Sequence, residues 1–155
     1  MIILTWLMLI SPIQIEQLSD VFFSACLPLG SSENHLTNYF EKKILPRIEK
    51  NNLFYVALDD DKIIGFAIFE KWEKDSYYLC EMAINPSYQK RGIGKKLVFS
   101  IFDKDLTTQN ILLVTKIDNL SAQGFYKAIG FKASSFQHPD YPKDFIGFEF
   151  RKNSQ

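Results

Sequence analysis

The sequence carries no excess charge of either sign. It contains 18 Lys and Arg residues and 18 Asp and Glu residues, for a formal net charge of +0 at pH 7. Proteins that bind nucleic acids or anionic membranes usually present an overall basic field, so this balance argues against both kinds of partner. We therefore expect no nucleic-acid partner, and any positively charged site has to be local.

Cysteines and long apolar segments are also scarce. The two cysteines, Cys26 and Cys80, are too few for the disulfide framework of a small secreted protein. The apolar run over residues 1–10 is shorter than the about 20 residues that a helix needs to span a bilayer. No basic residue precedes it, because the first Lys or Arg is Lys42, whereas a secretory signal begins with a basic segment. We expect a cytoplasmic protein without membrane association.

Apolar and aromatic side chains, by contrast, are present in the proportions of a soluble globular protein. Hydrophobic residues make up 46% of the 155 residues and aromatic residues 15%, which is enough to fill a core. Repeats, linkers and low-complexity tracts are absent from the sequence. A single domain over residues 1–155 is therefore expected.

The apolar periodicity predicts both strands and helices. Ser11 followed by Pro12 marks the start of a first helix, and a second helical segment begins at Ser31. Pro46 is expected to break or kink that second segment, and Gly130 fits the left-handed position after a last helix. Strands are predicted over residues 2–10, 53–58, 62–72, 77–84, 111–117, 131–136 and 145–150, with a loop over 137–144.

Residues 77–102 combine a strand, a glycine-containing turn and a basic helix start. Gly92 and Gly94 let backbone N–H groups approach an anion closely, and the positive end of the helix dipole lies there too. Four cations surround that end, where cations are normally unfavourable unless an anion is bound: Lys90, Arg91, Lys95 and Lys96. The spacing predicts a phosphate site. The alternative is a glycine-rich connection between the strand and the helix whose basic face is exposed to solvent and binds no ligand. The spacing matches neither a P-loop nor the three-glycine dinucleotide motif.

Two segments in this region resemble a known family. Residues 82–97, MAINPSYQKRGIGKKL, resemble the central motif of the GNAT superfamily of acyl-CoA-dependent N-acyltransferases, with its Gln/Arg-x-x-Gly-x-Gly/Ala core. Residues 119–131, NLSAQGFYKAIGF, resemble the family's later Asn-x-x-Ala-x-x-aromatic/Leu-Tyr-x-x-x-Gly-Phe segment. Gly124 and Ala128 depart from what family members often have, but neither departure touches the expected chemistry.

The resemblance implies an α+β fold, a mixed and mostly antiparallel sheet of about six to seven strands flanked by about four helices. It also implies acetyl-CoA as acyl donor, entering where two central strands splay apart, and no metal. The backbone at Met82, Ala83 and Ile84 would hold the acetyl group and the pantetheine arm. The pyrophosphate would lie against the N–H groups of Gln89, Lys90, Arg91, Gly92, Ile93, Gly94 and Lys95, with Arg91 and Lys95 as charge partners.

Three further residues have two interpretations each. Tyr126 matches the tyrosine that the family often uses as general acid toward the CoA sulfur, and a phenol with an ordinary pKa of about 10 suits that role; otherwise it is a core tyrosine. Glu81 is a charged side chain at mid-strand, which indicates either a general base acting through water or a salt bridge. Asn119 is a helix cap, a cofactor contact, or both. A fourth residue, His138, lies in the 137–144 loop and is a candidate for lining an acceptor entrance.

The function that the resemblance implies is direct acetyl transfer to an amine. We expect the acceptor to be a primary amine of a small molecule. The alternatives are a protein or peptide amine, or an acyl-CoA-binding sensor without turnover. A monomer and a homodimer both remain possible from the sequence.

Overall fold

The computed structural model of the chain describes residues 1–7, 10–50, 53–141 and 143–152. The helices and strands in these ranges are, in chain order, β1 (Ile2–Leu7), α1 (Pro12–Cys26), α2 (Glu33–Tyr39), α3 (Leu45–Glu49), β2 (Leu53–Asp59), β3 (Lys62–Glu73), β4 (Ser76–Ile84), α4 (Ile93–Lys104), β5 (Asn110–Lys116), α5 (Leu120–Ala128), β6 (Lys132–Ser134) and β7 (Phe145–Arg151). A π-helical turn, Phe40–Ile44, joins α2 to α3, and 3-10 turns lie at Leu27–Leu29 and Pro86–Tyr88.

The described strands form a seven-stranded sheet in the order β1-β2-β3-β4-β5-β7-β6. The pairs β1–β2, β2–β3, β5–β7 and β6–β7 are antiparallel, whereas β4 pairs with β5 in parallel. The predicted mixed, mostly antiparallel α+β sheet with flanking helices is thereby confirmed. None of the described helices has both the length and the apolar character that crossing a bilayer requires.

Two compact units make up the chain. Unit 1 comprises Met1–Glu70 and Cys80–Ser100, and unit 2 comprises Lys71–Leu79 and Ile101–Gln155. The strands β3 and β4 and the helix α4 therefore contribute residues to both units. A single domain over residues 1–155 stays a prediction.

In unit 1, the strand β3 is buried over most of its length. Residues 63–69 are all buried, so β3 lacks the alternation of a strand that has one face in water. Phe66 packs against Phe54 of β2 with ring centroids 6.0 Å apart. The helix α1 begins as predicted: Ser11 caps it in a reciprocal capping box with Gln14, and Pro12 occupies the first turn.

The helical segment 33–49 contains a wide turn for which Pro46 supplies a reason. The N–H of Leu45 donates to the carbonyl of Phe40, five residues earlier. Proline has no N–H, and its ring clashes with the carbonyl four residues before it, here that of Lys42. Widening the helix to an i→i−5 bond relieves that clash, so the predicted kink is confirmed as a π-turn whose side chains Phe40 and Ile44 are buried.

In unit 2, the strands β5, β7 and β6 share an aromatic core. Phe131 packs on Phe150 with ring centroids 5.6 Å apart, and Phe148 is completely buried. Gly147 in β7 lies so close to the backbone of Phe136 that a Cβ there would collide with the Phe136 carbonyl oxygen. Glycine is therefore required at this position for steric reasons.

Some element boundaries differ from the sequence-based expectation. The strand predicted over 131–136 is observed only at Lys132–Ser134, because the backbone after it leaves the ladder near Gly147. The strand predicted over 2–10 is observed at Ile2–Leu7, and its remaining part includes Met8 and Leu9, which lie outside the described residues. Pro142 of the predicted 137–144 loop also lies outside them.

Candidate active site

The end of β4 leads directly into a hydrogen-bonded turn in unit 1. The Asn85 N–H donates to the Ile64 carbonyl oxygen at 2.8 Å, and the Asn85 Oδ1 accepts from the Ser87 N–H at 2.9 Å. The Gln89 side-chain amide donates to the Ile84 carbonyl oxygen at 3.0 Å. Polar contacts therefore hold the start of the turn to β3 and its end to β4.

The backbone of this turn adopts left-handed conformations at two residues. Gly92 has φ 80, which glycine adopts without steric cost, and Lys90 has φ 63. Lysine pays a steric cost in that region because of its Cβ, and such outliers are concentrated at functional sites. Gly94 is instead buried within the first turn of α4 and is helical, so the special backbone conformation is needed at Gly92 and not at Gly94.

Basic side chains surround the start of α4. Four of them are exposed: Lys90, Arg91, Lys95 and Lys96. The Arg91 guanidinium donates to the Ser87 carbonyl oxygen at 3.1 Å and lies over the Tyr88 ring at 5.1 Å. The Tyr88 hydroxyl in turn donates to Asp59 Oδ2 at 2.6 Å, which lowers the pKa of Asp59. This chain of contacts ties the turn to the end of β2.

Glu81 lies three residues before the end of β4 and is half-buried. The Tyr39 hydroxyl of α2 donates to Glu81 Oε2 at 2.9 Å. Burial raises the pKa of Glu81 to about 7, while the Tyr39 hydrogen bond and the positive charge of Arg47 oppose that rise. A carboxyl group with this pKa exchanges a proton readily near neutral pH.

Tyr126 lies on α5 in unit 2 and is half-buried. Its ring contacts Phe125 and Phe131 with centroids 5.2 and 5.4 Å away. Asn119 caps the same helix, its Oδ1 accepting from the Ala122 N–H at 3.1 Å. The cap interpretation of Asn119 is thereby confirmed, and its cofactor role stays a prediction.

His138 is buried in an aromatic cluster of unit 2. Its ring lies 4.6 Å from that of Tyr78 and 5.2 Å from that of Trp72. Its Nδ1 accepts from the Asp140 N–H at 3.1 Å. These contacts give His138 a structural role, and the acceptor-entrance interpretation stays a prediction.

The cysteines offer no activated nucleophile. Cys26 and Cys80 are free thiols, and burial raises the pKa of each to about 12. A thiol with such a pKa is a poor nucleophile near neutral pH. Within the described ranges, no group of three or more His, Cys, Asp or Glu side chains is placed to hold a metal ion.

A comparison with known families decides the identity. A statistical model of the acetyltransferase (GNAT) family matches residues 14–131. The chain belongs to the GNAT acetyltransferase family. The match includes the left-handed turn at Lys90–Gly92 as well as Glu81 and Tyr126, so both resembling segments fall within the family region.

Two curated proteins resemble part of this GNAT chain. N-alpha-acetyltransferase 30 of Schizosaccharomyces pombe is 35% identical over 83 residues, which are 50% of this chain and 55% of that protein. The ribosomal protein bS18-alanine N-acetyltransferase of Salmonella typhimurium is 29% identical over 86 residues, 54% of this chain and 57% of that protein. The chain thus spans somewhat more than half the length of the curated relatives it matches.

Solved structures share the GNAT fold over nearly the whole chain. The PaiA N-acetyltransferase of Thermoplasma acidophilum, solved in complex with coenzyme A, superposes with a TM-score of 0.78. The superposition covers 97% of this chain and 99% of that one at 22% identity. This likeness shows that the two chains have the same fold.

The site residues predicted from the sequence divide between the two units. Unit 1 holds Glu81, Met82, Ala83, Ile84, Gln89, Lys90, Arg91, Gly92, Ile93, Gly94 and Lys95, and unit 2 holds Asn119 and Tyr126. The sequence-based reasoning missed Tyr39 and Arg47, which lie in the helical segment 33–49. Pro46 was the one signal near them, since a disturbed helix often marks a functional region.

Proposed function

We propose that this chain transfers an acetyl group from acetyl-CoA directly to a primary amine. The observation that carries the proposal is the left-handed turn at Lys90 and Gly92, which opens α4 beneath exposed basic side chains in a GNAT chain. Successive N–H groups in such a turn form a concave site for an anion, and the helix dipole adds to the attraction.

The donor side of the proposal concerns residues 82–95. The N–H groups of Gln89 to Lys95 bind the pyrophosphate, and Lys95 is an exposed charge partner on the first turn of α4. Arg91 contributes its charge while its guanidinium stays on the Ser87 carbonyl. The backbone of Met82, Ala83 and Ile84 binds the acetyl carbonyl and the pantetheine arm.

Proton transfer is assigned to two side chains. Glu81 accepts a proton from the acceptor ammonium, directly or through water, which leaves a neutral amine as nucleophile. The amine nitrogen forms a bond to the acetyl carbon, and the bond between that carbon and the CoA sulfur breaks. Tyr126 donates a proton to the departing thiolate, and the nitrogen releases its second proton through solvent, which restores the Tyr126 phenol and leaves a neutral amide. Glu81 suits its role because its pKa of about 7 makes it half-ionised at neutral pH.

The acceptor is proposed at the level of chemical class. A small-molecule primary amine is one candidate. A peptide or protein α-amine is the second, and it is favoured by both curated relatives, which are named as N-alpha- and ribosomal-protein alanine acetyltransferases. A panel that contains polyamines, amino sugars and short peptides with free α-amines distinguishes the two by the kcat/KM of each acceptor.

The first experiment measures acetyl-CoA binding by calorimetry and thiol release with the amine panel. We expect micromolar to millimolar binding and turnover with at least one acceptor class. Tyr126→Phe should lower kcat by about 100-fold while leaving acetyl-CoA affinity unchanged. Tyr55→Phe, a half-buried tyrosine of β2, is the matched control and should retain both properties. Binding without turnover across the whole panel would instead indicate an acyl-CoA sensor.

A second experiment tests the phosphate site. Lys95→Gln should weaken acetyl-CoA binding about two- to fivefold and reduce its salt dependence, as expected for one exposed charge pair. Lys104→Gln, an exposed lysine in the last turn of the same helix, is the control and should change neither. Equal effects of the two substitutions would contradict a pyrophosphate at the start of α4.

A further inference from the structure

The carboxylate of Glu81 is held by the helical segment 33–49. Tyr39, the last residue of α2, donates its hydroxyl proton to Glu81 Oε2 at 2.9 Å, across a separation of 42 residues in the chain. The Tyr39 ring is itself fixed, because it stacks on Phe22 of α1 with centroids 5.8 Å apart and an interplanar angle of 15°. Both ends of the Tyr39 side chain are therefore constrained.

The π-turn places two polar side chains of this segment near Glu81. Tyr39 precedes the turn and Arg47 comes after it. The charge of Arg47 acts on Glu81. A π-turn inserts an extra residue into a helix and rotates the residues on its C-terminal side, so the faces of α2 and α3 differ from those of a regular helix. The residues on the two sides of this wide turn, Tyr39 and Arg47, thus both act on the Glu81 carboxylate.

The other ionisable groups that act on Glu81 come from α1 and β4. Cys26 of α1 interacts electrostatically with Glu81. Cys80 of β4 interacts with Glu81, Arg47 and Glu70, whose Oε2 lies 3.9 Å from the Cys80 sulfur. Both thiols have a pKa of about 12 and are neutral near pH 7. Among the described residues, Arg47 and Tyr39 are thus the groups that favour an ionised Glu81.

We propose that Tyr39 is a positioning residue for acetyl transfer, which orients Glu81 so that its second oxygen, Oε1, receives the proton of the acceptor amine. This inference rests on the proposed function, since it assigns Glu81 the role of base. With Oε2 bonded to the Tyr39 hydroxyl, the carboxylate has one defined orientation. Tyr39 itself does not exchange a proton with the acceptor.

A hydrogen bond with a purely structural role would also shift the titration of Glu81, but it would leave the pH dependence of acetyl transfer unchanged. The Tyr39 hydroxyl stabilises the ionised form of Glu81, so its removal should make Glu81 harder to ionise. Loss of one such charge-assisted hydrogen bond should raise the midpoint of the Glu81 titration by about one pH unit. This corresponds to a tenfold change in the ratio of ionised to protonated Glu81. If the bond is only structural, the midpoint of the rate profile stays where it is although the Glu81 titration moves.

The test is a pair of titrations on the full chain with Tyr39→Phe, which keeps the ring and its stacking on Phe22. The Glu81 carboxyl is followed by 13C NMR on glutamate-labelled protein, with its resonance assigned by loss in Glu81→Gln. The pH dependence of kcat/KM for acetyl transfer is measured in parallel with the best amine of the panel. Tyr55→Phe is the matched control for removal of a half-buried tyrosine hydroxyl.

We expect Tyr39→Phe to move the NMR midpoint and the acidic limb of the rate profile upward by the same amount, about one pH unit, with acetyl-CoA affinity unchanged. An unmoved NMR midpoint overturns the inference. A moved midpoint with an unmoved rate profile also overturns it, because Glu81 is then not the titrating base.

If the wild type binds acetyl-CoA but turns over no amine, the proposed function fails, while the NMR result still reports whether Tyr39 controls Glu81. Should Tyr39→Phe fold poorly, Arg47→Gln is titrated instead and should move both midpoints in the same direction.

Discussion

Glu81 and Asp105 each accept a hydrogen bond from a tyrosine, yet their pKa values are shifted in opposite directions. In unit 1, Glu81 accepts from Tyr39 at 2.9 Å, and burial raises its pKa to about 7. In unit 2, Asp105 accepts from Tyr77 at 2.8 Å, but its pKa is held well below the usual range. The two tyrosine hydrogen bonds have nearly the same length, so they do not explain why the two pKa values shift in opposite directions.

The difference lies in the number of donors and in access to water. Asp105 also accepts from the Thr107 hydroxyl at 2.6 Å, from the Thr107 N–H at 3.0 Å and from the Lys71 ammonium at 3.2 Å. These donors stabilise the ionised form and outweigh the small cost of desolvation. At Glu81, desolvation is the largest influence. A carboxylate with many donors is a structural anchor, whereas a desolvated one with few can act as a base.

The largest expected effect is on kcat, which should depend on Glu81 but not on Asp105. Glu81→Gln should lower kcat by about 100-fold or more, because a glutamine accepts no proton from the amine. Asp105→Asn should leave kcat per folded molecule unchanged. Initial rates at saturating acetyl-CoA, normalised to folded protein, test both variants. A Glu81→Gln enzyme with near wild-type turnover would contradict the role of Glu81 as base.

The next largest effect is expected on the free energy of unfolding above neutral pH, where an ionised Glu81 destabilises the folded chain. Its folded-state pKa of about 7 exceeds the ordinary value of 4.5, so the folded chain holds this proton more tightly than the unfolded chain does. The resulting stability is fully present below pH 4.5 and is lost as the pH rises through about 7. We expect Glu81→Gln to be more stable than wild type by about 2 kcal/mol at pH 8, with a smaller difference at pH 5. Urea unfolding at the two pH values measures this, and an equal difference at both would refute it.

Asp105 should show the opposite pH dependence. Because its pKa is lowered in the folded chain, it contributes stability above its ordinary pKa of 3.8 and loses that contribution as the pH falls through the folded value. Asp105→Asn should therefore melt at a lower temperature than wild type at pH 7, and the gap should narrow below pH 4. Calorimetry across this range tests the sign. A gap that widens on acidification would show that Asp105 is not an anchor.

The smallest effect is expected from one donor of the Asp105 cluster. The Lys71 side chain is 43% exposed, and its 3.2 Å contact with Asp105 is open to water and salt. Lys71→Met should lower the melting temperature by no more than about a degree or two, and the change should vanish in 1 M salt. A larger loss that disappears in 1 M salt would mean that the Lys71 ammonium, and not Thr107 or Tyr77, contributes most to the stabilisation of Asp105.

Several local features of the fold and of the candidate acetyl-CoA site could be predicted from short stretches of sequence. Gly92 and Gly94 were expected to let the backbone approach an anion closely, and of the two Gly92 is left-handed whereas Gly94 is helical. Ser11 and Asn119 were expected to cap helices because their side chains accept from the N–H groups of the first turn, and both do. Each of these features depends on residues within a few positions, so local chemistry was sufficient.

Other features could not be obtained in that way. Lys90 is left-handed although nothing in its side chain favours that conformation, so the surrounding turn imposes it. Gln123 is buried and donates to the carbonyls of Lys116 and Ile117, a contact that periodicity does not reveal. Pro46 predicted a disturbed helix but not the five-residue hydrogen bond that resulted.

The sequence by itself therefore determined the strand, the turn and the basic start of α4, and with them the membership of the GNAT family. Whether Glu81 is a base or forms a salt bridge was left open, because its pKa depends on how much water surrounds it and on which donors reach it. Only the tertiary structure brought Tyr39, 42 residues away, to the carboxylate and removed enough water to raise its pKa to about 7. Desolvation and contacts between distant residues arise only when the chain is folded.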